Sequence, residues 1–234
     1  MIESPQNEKL KLVRKLRERK HRDREGLFVS EGEDLLAAGL GSGAQPRLLL
    51  TAAGAGLGGE QVEPGLLDSV SALGSGTRAI AVWEQGRAEA PHPPCVYLHG
   101  VGDPGNVGTI LRSADALLGG TLALGPECAD PFSPKAVRAS MGSIFSAAPL
   151  QAAIGATPSP RAALIAHGGR GLEALAGAAT ICLGAERDGL PDEVVGQCDV
   201  TVTIRLRPGR AESLNVAAAA AIACNRMREA SSDA

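Results

Sequence analysis

Three separated stretches set polar side chains beside glycine-rich turns. They run from His99 to Ala116, from Leu183 to Pro191 and from Ile204 to Ala217. Glycine allows tight turns and lets the backbone approach a ligand closely. Arg112 brings a guanidinium fork that stays charged in water and can hold a phosphate or a developing oxyanion. Asn106, Glu186, Ser213 and Asn215 add amide, carboxylate and hydroxyl groups. Each also has a plain structural reading. Asn106 and Ser213 can cap helices, Arg112 and Glu186 can be surface charges, and His99 can be a structural residue at a strand end.

Two glycine patterns match GxGxxG. Gly54, Gly56 and Gly59 follow a strand candidate, but Pro64 and the residues before it open no helix, so a flexible loop is expected. Gly100, Gly102 and Gly105 lie between a strand and a helix, with Glu127 about one βαβ unit further on. That context keeps a nicotinamide-dependent oxidoreductase open as an alternative. Against it, Pro104 lacks an N–H where donors would face a pyrophosphate.

The elements that must position these groups follow from periodicity. Residues 7–25 carry Leu10, Leu12, Val13 and Leu16 among many basic residues, which predicts one amphipathic helix. Strands are expected near 27–29, 47–51 and 79–83, with a helix at 33–39 and a weak helical signal at 64–73. Residues 85–94 hold three prolines and no large apolar side chain, as a linker would. Further on, strands at 96–98, 121–124, 144–147, 179–183 and 200–206 alternate with helices at 106–118, 134–141, 159–167, 191–196 and 213–229. Such alternation predicts an α/β fold with a parallel sheet, and ligand sites beyond the carboxyl ends of its strands. The expected organisation is a small α/β domain over 1–84, the linker 85–94 and a larger domain over 95–234.

Charge is uneven along the 234 residues. Residues 1–25 hold nine Lys/Arg and five Asp/Glu, whereas the whole chain carries a net −3. A basic segment on an acidic body suits a polyanionic partner. The five cysteines are scattered without a CxxC pair, so neither a zinc site nor a disulfide framework is expected. No apolar run approaches the ~20 residues that span a bilayer. The protein is expected in the cytoplasm, with no metal and no membrane partner.

Together and in order, the three stretches resemble the signature motifs of SpoU-type (TrmH-like) RNA methyltransferases. Ala129 to Lys135 and Arg138 to Gly142 resemble that family too, and the likeness covers residues 95–229. Residues 7–40 resemble the substrate-binding domain often fused ahead of it. The resemblance implies a parallel-sheet SPOUT domain with a C-terminal trefoil knot, and a homodimer through that domain. It also implies transfer of a methyl group from S-adenosylmethionine to a ribose 2′-hydroxyl of rRNA or tRNA. Carried over residue by residue, Arg112 is the catalytic arginine, accompanied by Asn106, Glu186, Ser213 and Asn215. Leu183, Gly184, Gly189, Leu190, Ile204, Leu206 and Leu214 would cradle the cofactor. On the basic segment, Lys9, Lys11, Lys15, Arg19, Lys20 and Arg22 would meet RNA phosphates. Two departures stand out: Arg187 replaces a common glycine, and Arg205-Leu206 replace a Pro-Met pair. A non-catalytic RNA-binding protein on the same scaffold is a third reading.

Overall fold

Apolar stretches of four to six residues that are buried on both faces belong in the middle of a sheet, and the chain has several. A computed structural model describes residues 1–72, 74, 76–211 and 213–232, which leaves Leu73, Ser75 and Glu212 of the stretches above outside the described residues. Two compact units result: Met1–Gly86 with Asp130–Ser146, and Arg87–Ala129 with Ala147–Ala234.

In the first unit, helices α1 (Glu8–Lys15), α2 (Arg19–Glu25), α3 (Glu33–Gly41) and α4 (Pro64–Val70) accompany strands β1 (Leu27–Glu31), β2 (Leu48–Ala52), β3 (Glu60–Val62) and β4 (Ala79–Glu84). The sheet order is β1-β4-β2-β3, antiparallel except for the β2–β3 pair. Leu10, Val13 and Leu16 pack with Leu50, Leu67, Ile80 and Val82 in one core. Elsewhere in the unit, the protein's three phenylalanines and its single tryptophan gather, with Phe28 beside Phe132 and Phe145, and Trp83 beside Phe145. Two of these rings come from the segment Asp130–Ser146, which therefore packs with the N-terminal residues although it lies beyond residue 95 in the chain.

The expected single helix over 7–25 is in fact two. Arg22 explains the break: its Nη1 donates to the carbonyls of Leu16 (2.8 Å) and Arg17 (2.6 Å), just past the end of α1. Helix α2 then ends on Gly26 in the left-handed conformation.

The second unit holds β5 (Cys95–Leu98), α5 (Pro104–Leu118), β6 (Thr121–Leu124), β7 (Leu150–Gln151), β8 (Arg161–Leu164), β9 (Thr180–Leu183), α7 (Asp192–Val195), β10 (Val200–Val202) and α8 (Val216–Ser232); α6 (Pro134–Ser140) belongs to the first unit. All six strands run parallel in the order β10-β8-β9-β5-β6-β7. The expected parallel α/β sheet is thus present, with α5 packed along α8. A separate core joins Cys95, Tyr97, Cys182, Leu190 and Val194.

Two further expectations are corrected. Residues 159–167 are not a helix; they contain β8, hydrogen-bonded between β10 and β9. Alanine favours helices in isolation, but a segment inserted between two strands is decided by pairing and burial on both faces. Residues 144–147 are not a strand either: Ser143–Phe145 form a 3-10 turn that carries Phe145 to the aromatic cluster. Residues 85–94 contain neither helix nor strand.

Candidate active site

Where β9 ends, the chain turns back on itself at once. The Ala185 N–H donates to the Gly189 carbonyl (3.1 Å) and the Gly189 N–H to the Ala185 carbonyl (3.0 Å). Gly184 touches the returning strand so closely that a Cβ there would lie 2.0 Å from the Gly189 carbonyl carbon. Gly189 has φ +70°, where an L side chain is strained. Both glycines are therefore required by the turn itself.

Beside this turn, the segment after β10 and the end of β8 enclose a cavity of about 320 Å³. Leu183, Gly184, Gly189, Ile204, Leu206 and Leu214 line it, as expected from sequence. Glu186 and Ser213 line it too, so apolar walls meet a carboxylate and a hydroxyl. Such a volume falls in the range of about 300–1,000 Å³ typical of small-molecule sites. Leu190 is corrected: it turns away into the core around Tyr97 and Val194.

The walls also include Leu164, Ile165, Ala166 and His167, which the sequence reading missed. Their signal was hidden because 159–167 reads as a helix, and only a strand ending at Leu164 delivers the next residues to the carboxyl edge of the sheet. Val216 and Ala219, in the first turn of α8, were missed as well.

Three of the five catalytic candidates are joined by hydrogen bonds. Asn106 Nδ2 donates to Glu186 Oε1, and Asn215 Nδ2 donates to Asn106 Oδ1 at 3.1 Å. Asn106 does not cap α5; Asp103 does, accepting from the Asn106 N–H at 3.0 Å. That leaves the Asn106 amide free to bridge the second and third stretches. Asn215, by contrast, serves twice, since its Oδ1 also accepts from the Ala217 N–H (2.9 Å) to cap α8. Ser213 plays no capping part there.

Arg112 stands apart within the protomer. It is exposed on α5, six residues beyond Asn106. At about 100° per residue this puts the two side chains on different faces. Arg112 lines no part of the cavity and makes no ion pair or hydrogen bond among the described residues. Ser113, next to it, donates from Oγ to the Thr109 carbonyl (3.0 Å).

Other candidates resolve more simply. His99 Nδ1 lies 3.3 Å from the Tyr97 hydroxyl. Burial pushes that phenol up to about 12, so at neutral pH it keeps its proton and can donate to the imidazole. Both residues face a second cavity, away from the one above. Asp103 bears on the dinucleotide alternative: its carboxylate already occupies the N-terminal amides of α5 and would repel a pyrophosphate. Gly54 to Gly59 lead into β3 rather than directly into a helix; the expectation that Pro64 opens no helix is corrected, because α4 starts there, capped by the Glu63 carboxylate.

Of the basic residues, Arg22 is corrected. Its guanidinium is buried and gripped by Asp130 (2.5 Å) and by two carbonyls, so it is not presented to a polyanion. Lys9 pairs with Glu60, Lys11 with Glu8, Arg19 with Asp23 and Lys20 with Glu18. Lys15 is exposed and makes no ion pair among the described residues. No group of three or more His, Cys, Asp or Glu among the described residues is placed to hold a metal, and no described helix is long and apolar enough to cross a membrane.

Comparison with known proteins agrees with this geometry. Residues 93–225 match the SpoU rRNA methylase family, and residues 7–85 match an MRM3-like substrate-binding domain. The 23S rRNA (guanosine(2553)-2′-O)-methyltransferase RlmP of Bacillus subtilis is 30% identical over 251 residues, covering 97% of this chain and 98% of the relative. A putative RNA methyltransferase of the TrmH family from Porphyromonas gingivalis superposes with TM-score 0.82 at 32% identity, covering 98% of this chain and 99% of the other. An AdoMet-bound rRNA methyltransferase from Sinorhizobium meliloti superposes with TM-score 0.85 at 28% identity, covering 97% of each chain. The cavity beyond β9, the amide bridge that closes beside it and the match over most of the second unit lead to one assignment: the chain belongs to the SpoU rRNA methylase family.

Proposed function

We propose that the protein methylates a ribose 2′-hydroxyl of ribosomal RNA, with S-adenosylmethionine as methyl donor. The observation that carries this reading is the hydrogen-bonded chain Glu186–Asn106–Asn215, whose Glu186 end lines a cavity with apolar walls. Full-length similarity to a 23S rRNA 2′-O-methyltransferase supports it.

Leu183, Ile204, Leu206 and Leu214 suit the adenosine and the methylene groups of the donor, and the backbone of Gly184 and Gly189 can approach it closely. When bound, S-adenosylmethionine supplies an electrophilic methyl group. The chain's own groups must hold the hydroxyl in line and bear the charge that develops on its oxygen. Glu186, Asn106 and Asn215 fix one another and so present a preorganised polar rim, with Ser213 beside it. Arg112 has no partner in its own protomer among the described residues, and its exposed guanidinium suits the site of a second copy. In a homodimer built through the second unit, Arg112 of one protomer would stabilise the alkoxide and the adjacent phosphate at the other's cavity.

RNA capture is assigned to residues 1–84, through Lys15, Arg19 and Lys20 on exposed parts of α1 and α2, with Lys9 and Lys11 beside them. Residues 85–94 connect this domain to the catalytic one over 95–234, whose trefoil threading follows from the same family reading. A cytoplasmic location suits an rRNA substrate.

The direct test is transfer of tritium from methyl-labelled S-adenosylmethionine to rRNA, followed by mapping of ribose methylation in cells with and without the protein. A single ribose that loses its methyl group in the deletion strain is expected. Binding of a nicotinamide dinucleotide in place of S-adenosylmethionine by calorimetry would overturn the proposal.

A further inference from the structure

Cys182 and Cys198 were unremarkable in the sequence, separated by sixteen positions and lacking any motif. The fold puts their sulfurs 3.8 Å apart. Cys182 is fully buried on β9, while Cys198 follows α7 and is partly exposed. The remaining three cysteines, Cys95, Cys128 and Cys224, are all buried.

The residues enclosed between the pair are Leu183 to Gln197, which comprise the whole turn lining the cavity and helix α7. Arg161, on β8, reaches this corner: its Nη1 donates to the Gln197 carbonyl (3.3 Å) and its Nη2 to the Thr157 carbonyl (2.6 Å). The two thiols differ in acidity. The contact between the two sulfurs and the Arg161 guanidinium draw Cys198 down, whereas that same contact and burial push Cys182 up. Of the five thiols, only Cys198 moves down; burial raises Cys95 to about 11 and Cys224 to about 12, and raises Cys128 as well.

We propose that Cys182 and Cys198 form a redox pair, which a peroxide converts to a disulfide that closes a covalent ring around the cavity-lining turn. The Cys198 thiolate attacks one peroxide oxygen, the O–O bond breaks, and the departing hydroxide takes up a proton to become water. Cys198 is then a sulfenic acid. The Cys182 sulfur attacks the Cys198 sulfur, the S–O bond breaks, and the leaving hydroxide takes the Cys182 proton as a second water. Two thiols are oxidised and one peroxide is reduced. The sulfurs must close from 3.8 Å to a bond of about 2.05 Å. The four-residue α7 and the segment after it can move that far, whereas Cys182 sits on a strand paired on both sides. The ring fastens the far end of α7 to β9 and restrains the turn between them.

The test uses the full-length protein, reduced or treated with hydrogen peroxide. Trypsin cleaves after Arg170, Arg187 and Arg205, so the two cysteines fall in separate peptides, 171–187 and 188–205. After oxidation, denaturing alkylation and digestion, these peptides should appear joined, two hydrogens lighter than their sum. Alkylatable thiols should fall from five to three and return to five with dithiothreitol. Before denaturation, trypsin should cut at the exposed Arg187 about tenfold more slowly in the oxidised protein, because cleavage requires the turn to open. Cys198→Ser should abolish both the linked peptide and the protection. Cys198 found as sulfinic acid with Cys182 still alkylatable, or an unchanged rate at Arg187, overturns the proposal. Neither readout uses methyl transfer, so it stands or falls separately from the assigned activity.

Discussion

Asn215 donates from Nδ2 to Oδ1 of Asn106 across 3.1 Å, although 109 positions separate them in the chain. Because Asn106 in turn donates to Glu186, one side-chain amide holds together three segments that a linear reading leaves unconnected. Groups that fix one another do not act independently. Asn106→Ala and Asn215→Ala should each lower kcat/KM, and the double variant should lose less than the product of the two. Coupling on the order of 0.5–3 kcal/mol is expected for residues in one hydrogen-bond network. Strict additivity in a double-mutant cycle would show that the bridge has no catalytic consequence.

Gly184 and Gly189 should fail for different reasons and to different extents. Gly184→Ala places a Cβ against the backbone of Gly189, so the turn must open and S-adenosylmethionine affinity should fall by more than about tenfold, or about 1.4 kcal/mol. Gly189→Ala meets nothing within 4 Å and bears only left-handed strain, about 1–2 kcal/mol. Titration calorimetry on the two variants separates these effects. Equal and small losses would mean that the turn is more pliant than the geometry indicates.

In the proposed homodimer, Arg112 should serve the partner's cavity. Arg112→Ala and Arg112→Lys should both lose turnover while binding S-adenosylmethionine normally, since lysine lacks the planar fork. Mixing Arg112→Ala protomers with Gly184→Val protomers should restore about a quarter of wild-type activity, because random pairing leaves one intact composite site in half the dimers. No recovery after subunit exchange would mean that each protomer uses its own arginine.

Basic residues on α1 and α2 should divide into two classes. Arg22→Ala removes one partner of a buried ion pair and should destabilise the first unit by about 3–5 kcal/mol, seen as a lower Tm. Charge reversal at Lys15, Arg19 and Lys20 should leave Tm nearly unchanged. It should weaken RNA binding and flatten its salt dependence, by about 0.9 in the log–log slope for each phosphate that is no longer neutralised. A salt-independent affinity in the unaltered protein would remove RNA capture from these helices.

Much of the cavity was legible in advance because its residues are local in sequence. Leu183, Gly184 and Gly189 sit on one turn, and Ile204, Leu206, Ser213 and Leu214 on one loop, so their types and spacing carry the signal. Ile165 and His167 were not legible. They reach the cavity only because Arg161–Leu164 pairs as a strand, and an alanine-rich stretch does not announce that. Leu190 and Arg22 failed for a related reason. A leucine beside a glycine turn can face either side of the sheet, and an arginine among surface lysines can fold inward when a distant aspartate receives it.

From its sequence alone, the chain determined the alternation that builds a parallel sheet, the glycines that permit the turn after β9 and the inventory of reactive groups. Those properties are local: backbone freedom, periodic burial and side-chain chemistry are set within a few residues. Tertiary structure alone decided which of these groups meet. Asn106 with Asn215, Arg22 with Asp130 and Cys182 with Cys198 are pairings made by strand order and helix packing, which join segments far apart in the chain.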